Sequence, residues 1–298
     1  MHNQHQEARL VRALRPYGPD SDPASIYQYP EHLRPWLVDL PARPGVYIFH
    51  GESETLPLYI GKSVNLRSRV MSHLRTPAEA KMLRQAQRIE WIPTAGELGA
   101  LLLEAQLIKT RQPLFNKRLR KNRQLCSLRV NDARPQVVYA RDLNFSATPD
   151  LFGLYSSRHA ALETLKRIAD EHSLCHGLLG LEKLSAGRGC FRSALGRCAG
   201  ACCGKESLQA HHARLMDALE HVRIICWPWK GAVGLVEEGP HATQIHIIDH
   251  WFYLGSVDSL EQAAALRRAP PGFDQDGYKI LCRPVISGHY PVIPLRPG

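Results

Sequence analysis

The chain of 298 residues is 44% hydrophobic, enough for ordinary cores in two or three domains. It holds no run of 18 apolar residues, and Met1-His2-Asn3-Gln4-His5 opens no apolar leader, so neither a membrane-spanning helix nor a secretory signal is predicted and a cytoplasmic protein is expected. The net charge is +10 and the excess is local: residues 61–123 hold fourteen Lys or Arg against four Glu, whereas residues 232–298 carry seven acids and five bases.

Residues 1–27, with Pro and Gly, read as an N-terminal arm. Two short apolar runs follow, Gly45-Val46-Tyr47-Ile48-Phe49 and Leu58-Tyr59-Ile60-Gly61, with turn-rich Gly51-Glu52-Ser53-Glu54 between them, a pattern that predicts a hairpin. Residues 62–70 predict a loop running into a basic helix, and residues 88–92 a third strand. Thr94-Ala95-Gly96-Glu97 has the order of a capping box ahead of an apolar run, and Pro113 bars continuation, so a helix is expected to end near Thr110. A basic stretch at 117–124 leads to a second region, with a hairpin expected from 125–131 and 136–141 and amphipathic helices from 159–171 and 207–225. Beyond Trp227-Pro228-Trp229, strands are expected at 232–236, 244–248, 251–254 and 278–282, with a helix at 260–268. The expected division is therefore an arm at 1–27 and domains at 28–123, 124–229 and 230–298.

Glu104 stands out within the helix expected to end near Thr110. Its neighbours three and four residues away, Ala100, Leu101, Leu107 and Ile108, are all apolar, so its carboxylate projects from the core-facing side. A lone carboxylate there costs several kcal/mol or stays protonated unless a cation meets it, and either an Arg or Lys or a metal ion would serve. Lys109, Arg111, Lys117, Arg118, Arg120, Lys121 and Arg123 crowd together with no acid among them, for which a phosphate backbone is a more economical reason than a solvated face. Five of the eight cysteines, Cys175, Cys190, Cys198, Cys202 and Cys203, fall in one stretch, while Cys126, Cys226 and Cys282 read as small buried hydrophobes. Four converging thiolates suggest a soft-metal site; their spacing lacks short zinc knuckles and does not by itself identify the metal.

Gly45-Val46-Tyr47, then Tyr59-Ile60-Gly61, with Lys62, Arg69, Glu104 and Asn116 following in order, resembles the GIY-YIG nuclease motif. Spacing and the Pro113-Leu114-Phe115-Asn116 ending resemble the N-terminal nuclease half of the UvrC family of excision-repair endonucleases, over roughly residues 40–118, with a likeness continuing through the second half. The resemblance implies an α+β chain: a GIY-YIG domain with a small three-stranded, mainly antiparallel sheet and flanking helices, then a cysteine-cluster α+β region and a small C-terminal α+β domain.

The same resemblance implies the chemistry. Glu104 would be the protein ligand of a single Mg2+ or Mn2+ ion, which suits a hard oxygen donor. One of Tyr47 and Tyr59 would accept a proton from water, with Lys62 as the nearby cation that lowers a phenol's pKa. The residues leave open which tyrosine is the base; likeness to UvrC favours Tyr59, with Tyr47 orienting water or phosphate. Arg69 would stabilise charge on the scissile phosphate, and Asn116 would hold the site or the phosphate. His73 stands where UvrC sequences often have a tyrosine, and is read as a surface residue, a phosphate donor or an auxiliary acid. With Arg67, Lys109 and the basic run at Lys117, Arg118, Arg120, Lys121 and Arg123, it is assigned to DNA binding.

Gly196-Arg197-Cys198-Ala199-Gly200-Ala201-Cys202 resembles the cysteine core of UvrC, which implies a [4Fe–4S] cluster on Cys175, Cys190, Cys198 and Cys202, with Cys203 a spare. UvrC also has an RNase H-like nuclease half and a helix-hairpin-helix tail, for which this chain has no room. One nuclease centre implies one incision, 3′ to a lesion in damaged double-stranded DNA, by a monomer working with UvrA and UvrB. Two other readings are a GIY-YIG nuclease for branched DNA or mobile elements, against which the cysteines weigh, and a non-catalytic nucleic-acid-binding module, against which the six motif positions weigh. There is no glycine-rich P-loop, so ATP use is not expected.

Overall fold

All six residues of β1 (Gly45–His50) are buried, which is why this segment reads as a continuous apolar run instead of an alternating one. The computed structural model, which describes residues 26–116, 124–132, 134–184, 188–266 and 268–295, places β1 at the centre of an antiparallel sheet of order β2-β1-β3, with β2 at Tyr59–Ser63 and β3 at Arg88–Pro93. Tyr47 and Phe49 face a core with Leu66, Val70 and Leu74 of α1 (Leu66–Leu74) and Met82 and Leu83 of α2 (Ala80–Gln85). Val46 and Ile48 face the other way, onto Leu103, Leu107 and Ile108 of α3 (Glu97–Arg111). Asn65 caps α1 by accepting from Ser68 N at 3.0 Å. After α3, Leu114 N and Phe115 N donate to Pro57 O and Leu58 O, which lays this segment beside the entry to β2.

The capping box expected at residues 94–97 does not form. Gly96 is the N-cap, Thr94 Oγ1 donates to Gly96 O, and the free donors of the first turn, Leu98 N and Gly99 N, go to the Glu237 carboxylate at 2.9 and 2.8 Å. A distant carboxylate has replaced the local one.

The middle of the chain has a sheet of order β5-β4-β6, from β4 (Cys126–Asn131), β5 (Arg134–Tyr139) and β6 (Leu151–Tyr155). β6 was not expected, because Gly153, at φ 75°, interrupts a run that is only five residues long. Helices α4 (Arg158–Glu171) and α6 (Leu208–Glu220) pack their apolar faces with this sheet, and each begins at a serine cap; the short α5 (Phe191–Ala194) lies in the cysteine stretch. α6 stops at Glu220 and not near residue 225, because the Phe152–Arg223 bridge and the Ile224 N to Leu151 O bond draw the chain out along β6.

The last region is a sheet of order β10-β7-β8-β9, from β7 (Val233–Glu238), β8 (Thr243–Asp249), β9 (Phe252–Val257) and β10 (Val292–Pro294), with α7 (Leu260–Ala263) and α8 (Gln275–Ile286). The strand expected at 278–282 is instead the middle of α8: Gly277, Leu281 and Val285 are buried at four-residue spacing, and Asp274 caps the helix at Asp276 N. α7 ends earlier than the helix expected to residue 268, and β10 was not expected. Leu98 and Leu102 of α3 join Trp251, Leu281 and Val285 in one core, so α3 is held between the nuclease-like sheet and the C-terminal sheet. No helix among the described residues is long and apolar enough to cross a membrane.

Candidate active site

The register of β1 against β2 sets Tyr47 directly opposite Gly61. A Cβ at Gly61 would lie 2.3 Å from the Tyr47 hydroxyl, so the phenol uses the space that glycine leaves. Tyr47 is buried, and its hydroxyl meets His73 Nε2 at 2.5 Å. His73 Nδ1 in turn bonds the Glu79 carboxylate, which completes a phenol–imidazole–carboxylate line. The Tyr59 ring lies 6.1 Å from that of Tyr47 and 5.3 Å from that of His73. Arg69, one turn before His73 on α1, is exposed and bears on both phenols. Burial, and then the neighbouring Tyr59, push the Tyr47 phenol up more than Arg69 lowers it. Burial also pushes Tyr59 up, followed by the charge of Glu104, so Tyr59 is the phenol that senses Glu104.

Glu104 is half-buried, and its Oε1 accepts from Lys62 N at 3.0 Å. Burial raises its pKa, against the amide and charge of Lys62. No Lys or Arg side chain among the described residues lies within ion-pair distance of it, which weakens the alternative of an Arg or Lys partner. Oε2 makes no hydrogen bond among those residues, and a hard oxygen donor with a free lone-pair site fits a divalent cation. The Lys62 ammonium turns to Glu97 at 3.0 Å and not to Tyr59, so the cation that lowers the phenols is Arg69, contrary to the sequence expectation. Asn116 accepts from Ile60 N at 2.9 Å and donates to Ile60 O at 2.8 Å, which clamps the strand carrying Tyr59 and Gly61.

Three of the residues expected to meet DNA have described positions. Arg67 is exposed beside Arg75 in a groove that also includes Asn65, Ser68 and Met71. His73 is buried behind Tyr47, where a phosphate does not reach, so its expected place on the DNA surface is corrected to one behind the phenol. Lys109 is also corrected: it pairs with Asp274, and with Asp276 at 3.1 Å, because α8 packs against the end of α3. Lys117, Arg118, Arg120, Lys121 and Arg123, and nearly all of the N-terminal arm, lie outside the described residues. Glu79 was missed; its one signal in the sequence is rarity, as one of four acids in a strongly basic segment.

The sulfurs of Cys175, Cys190, Cys198 and Cys202 all lie within 4.8 Å of one another. Ser193 N donates to Cys190 Sγ, Gly200 N to Cys198 Sγ and Cys190 N to Cys202 Sγ, at 3.2–3.3 Å. Gly196, Gly200 and Gly204 have positive φ, which lets the loop fold around the thiols. Burial pushes Cys175 up to about 11 and Cys190 higher, while Cys202 is lowered because the Cys190 N–H and the adjacent thiols outweigh its burial. Cys203 is exposed and stands apart, with its Sγ toward Gly200 O. Four thiols with N–H donors fit a soft metal centre. A tetrahedral ion with bonds near 2.3 Å sets its sulfurs about 3.8 Å apart, and a cubane sets them wider, so this spacing is nearer to a single ion.

Family models match three stretches in order: the UvrC-like GIY-YIG domain over residues 43–117, the UvrC/Cho excinuclease middle domain over 125–221, and the Excinuclease Cho C-terminal domain over 232–298. The chain is 64% identical over 289 residues to the excinuclease Cho of Escherichia coli strain K12, covering 97% of this chain and 98% of that protein. It is 66% identical over 273 residues to the excinuclease Cho of Salmonella typhi, covering 92% and 93%. A solved GIY-YIG N-terminal endonuclease domain of UvrC from Thermotoga maritima, bound to magnesium as its catalytic divalent cation, is 36% identical, covers 28% of this chain and 93% of that one, and superposes with a TM-score of 0.26. With near-full-length identity of this order and all three domain matches in sequence, the chain belongs to the excinuclease Cho family, the UvrC-like GIY-YIG endonucleases of excision repair.

Proposed function

We propose that the chain makes a single cut, 3′ to a lesion, in damaged double-stranded DNA, in the cytoplasm and in concert with UvrA and UvrB. The observation that carries the reading is the convergence of Tyr59, Arg69 and Glu104 from β2, α1 and α3 around the Tyr47–His73–Glu79 line. Glu104 would hold Mg2+ or Mn2+ through its free oxygen. A cation bound there supplies Lewis-acid charge to the scissile phosphate.

The chain's own residues do the rest. Tyr59, partly exposed, raised by burial and the Glu104 charge and lowered by Arg69, gives its own proton to solvent and as the phenolate takes the proton of the attacking water. Tyr47 is the less suited to that step, because burial keeps its proton on and His73 already engages its hydroxyl. It orients the reactants instead, held by His73 and Glu79. Arg69 meets the charge that develops on the phosphate. Asn116 keeps β2 in place. Arg67, with Lys117, Arg118, Arg120, Lys121 and Arg123, holds the DNA backbone without reading its sequence. One nuclease centre in the 28–123 domain supports one incision by a monomer, and lesion recognition falls to the partners.

The four clustered cysteines of the 124–229 region hold a metal centre. The UvrC likeness supports a [4Fe–4S] cluster; a single zinc ion is the second reading, favoured by the sulfur spacing. The test of the main reading is incision of a site-specifically damaged duplex with UvrA and UvrB, mapped on each strand. The wild type should cut once, on the 3′ side. Glu104→Ala should lose on the order of a hundredfold or more in rate while still binding DNA. Cutting on both sides of the lesion, or full activity in Glu104→Ala, would refute it.

A further inference from the structure

The first turn of α3 is built for a close neighbour. Gly99 sits inside the helix, where glycine weakens it relative to alanine, and a Cβ there would lie 2.9 Å from the His246 ring. A Cβ at Gly96 would lie 2.3 Å from the Glu237 carboxylate. Into the space these glycines leave comes the C-terminal sheet. Glu237, buried on β7, accepts from Leu98 N and Gly99 N and bonds His246 Nε2 at 2.8 Å. His246 Nδ1 is held by Ser256 at 2.7 Å, and Ser256 by Tyr253 at 2.8 Å. Gln244 takes Ala95 N at 2.8 Å. Two N–H donors in the first turn of α3, and the Ala95 N–H just before it, are thus met from 138 to 149 residues away.

The other end of the same helix is tied to the same domain through Lys109 and the Asp274 and Asp276 carboxylates. Between the two ties, Leu98 and Leu102 share a core with Trp251 and Leu281. Glu104 lies between them as well, about 9 Å along the axis from Leu98. A helix moves as a rod, so a shift at its capped end reaches that carboxylate. Its own anchor, the Lys62 amide, belongs to the residue whose ammonium pairs with Glu97 at the start of α3.

We propose that the C-terminal domain serves the nuclease centre by fixing the helix that carries Glu104, with Glu237 as a positioning residue for that carboxylate. This rests on the metal role given to Glu104 above. It assigns the domain a task in the reaction that requires no contact with DNA or with a partner protein.

The experiment titrates Mn2+ into the full chain, read by the loss of the free-ion electron paramagnetic resonance signal, well below the melting temperature. Wild type, Glu104→Ala, Glu237→Ala and Glu237→Gln are compared, with DNA affinity measured without divalent cation. Glu237→Ala should weaken the Glu104-dependent binding by about tenfold. Glu237→Gln, which keeps an acceptor for the helix N–H groups, should recover part of that loss, and DNA affinity should stay within about twofold throughout. If Glu237→Ala fails to fold, the glutamine variant carries the test alone, with a smaller weakening expected. Unchanged Mn2+ binding in a folded Glu237 variant, with only the melting temperature lowered, would overturn the proposal and leave Glu237 a purely structural cap. If Glu104→Ala leaves Mn2+ binding unchanged, the metal assignment itself has failed, and the positioning role falls with it.

Discussion

Replacing Asn116 with alanine separates two roles that a motif residue can have. Its side chain makes both hydrogen bonds to Ile60, one to the N–H and one to the carbonyl, and Ile60 has no exposed surface. Each such bond contributes about 1 kcal/mol net, so their loss costs about 2 kcal/mol, rising toward about 4 kcal/mol where water cannot reach the two backbone groups. For a chain of this size the lower figure lowers the melting temperature by about 3 °C. Asn116→Asp should do no better, because a carboxylate accepts from Ile60 N but sets a second acceptor against Ile60 O. The assay pairs thermal unfolding with Mg2+-dependent nicking of the same preparations. Both should fall together, since the clamp holds the strand that carries Tyr59. An unchanged melting temperature with lost cutting would refute this reasoning and place Asn116 on the phosphate instead.

Arg69→Ala should reduce cutting far more than Arg67→Ala, which removes one phosphate contact of about 1 kcal/mol whose effect fades with salt; equal rate losses at equal DNA affinity would show the wrong arginine has been chosen. Lys109→Ala should lower stability by about 1–2 kcal/mol and leave DNA affinity nearly unchanged, because its ammonium is engaged by Asp274 and Asp276; a large, salt-dependent loss of DNA binding would return it to the DNA surface. Protein purified without oxygen should be brown and hold about four iron and four sulfide per chain if a cubane is present, whereas stoichiometric zinc without sulfide would establish the single-ion reading. Cys203→Ser should retain the metal, since Cys203 stands outside the four converging sulfurs; loss of metal in that variant would redraw the ligand set.

How much of this was legible depends on distance along the chain. Gly45 to Asn116 is a short span, and its strands and helices form from local patterns, so the nuclease-like sheet and the helix carrying Glu104 could be read directly. Glu104 was conspicuous because a carboxylate among Ala100, Leu101, Leu107 and Ile108 breaks the apolar pattern. The partners that settle other side chains come from far away. Nothing near Lys109 in sequence foretells Asp274, and nothing near Gly96 foretells Glu237. The apparent capping box at 94–97 was a correct sign of a helix start with the wrong agent. Residues 278–282 misled because five residues of mixed polarity suit a strand or a helix turn equally, and only the longer spacing of Gly277, Leu281 and Val285 decides. His73 was visible as a departure from the UvrC tyrosine, but its burial followed from how α1 lies on β1.

The pairing of Tyr47 with Gly61 changes what the motif's letters mean. It is natural to regard the tyrosines as chemistry and the glycines as punctuation. Here the glycine of one strand is the seat of the phenol of the next, since any side chain at 61 would occupy the volume where the hydroxyl stands. The two positions therefore form one unit of packing. Alanine at 61 in this chain would displace Tyr47 from His73 without removing any group that bonds, donates or carries charge.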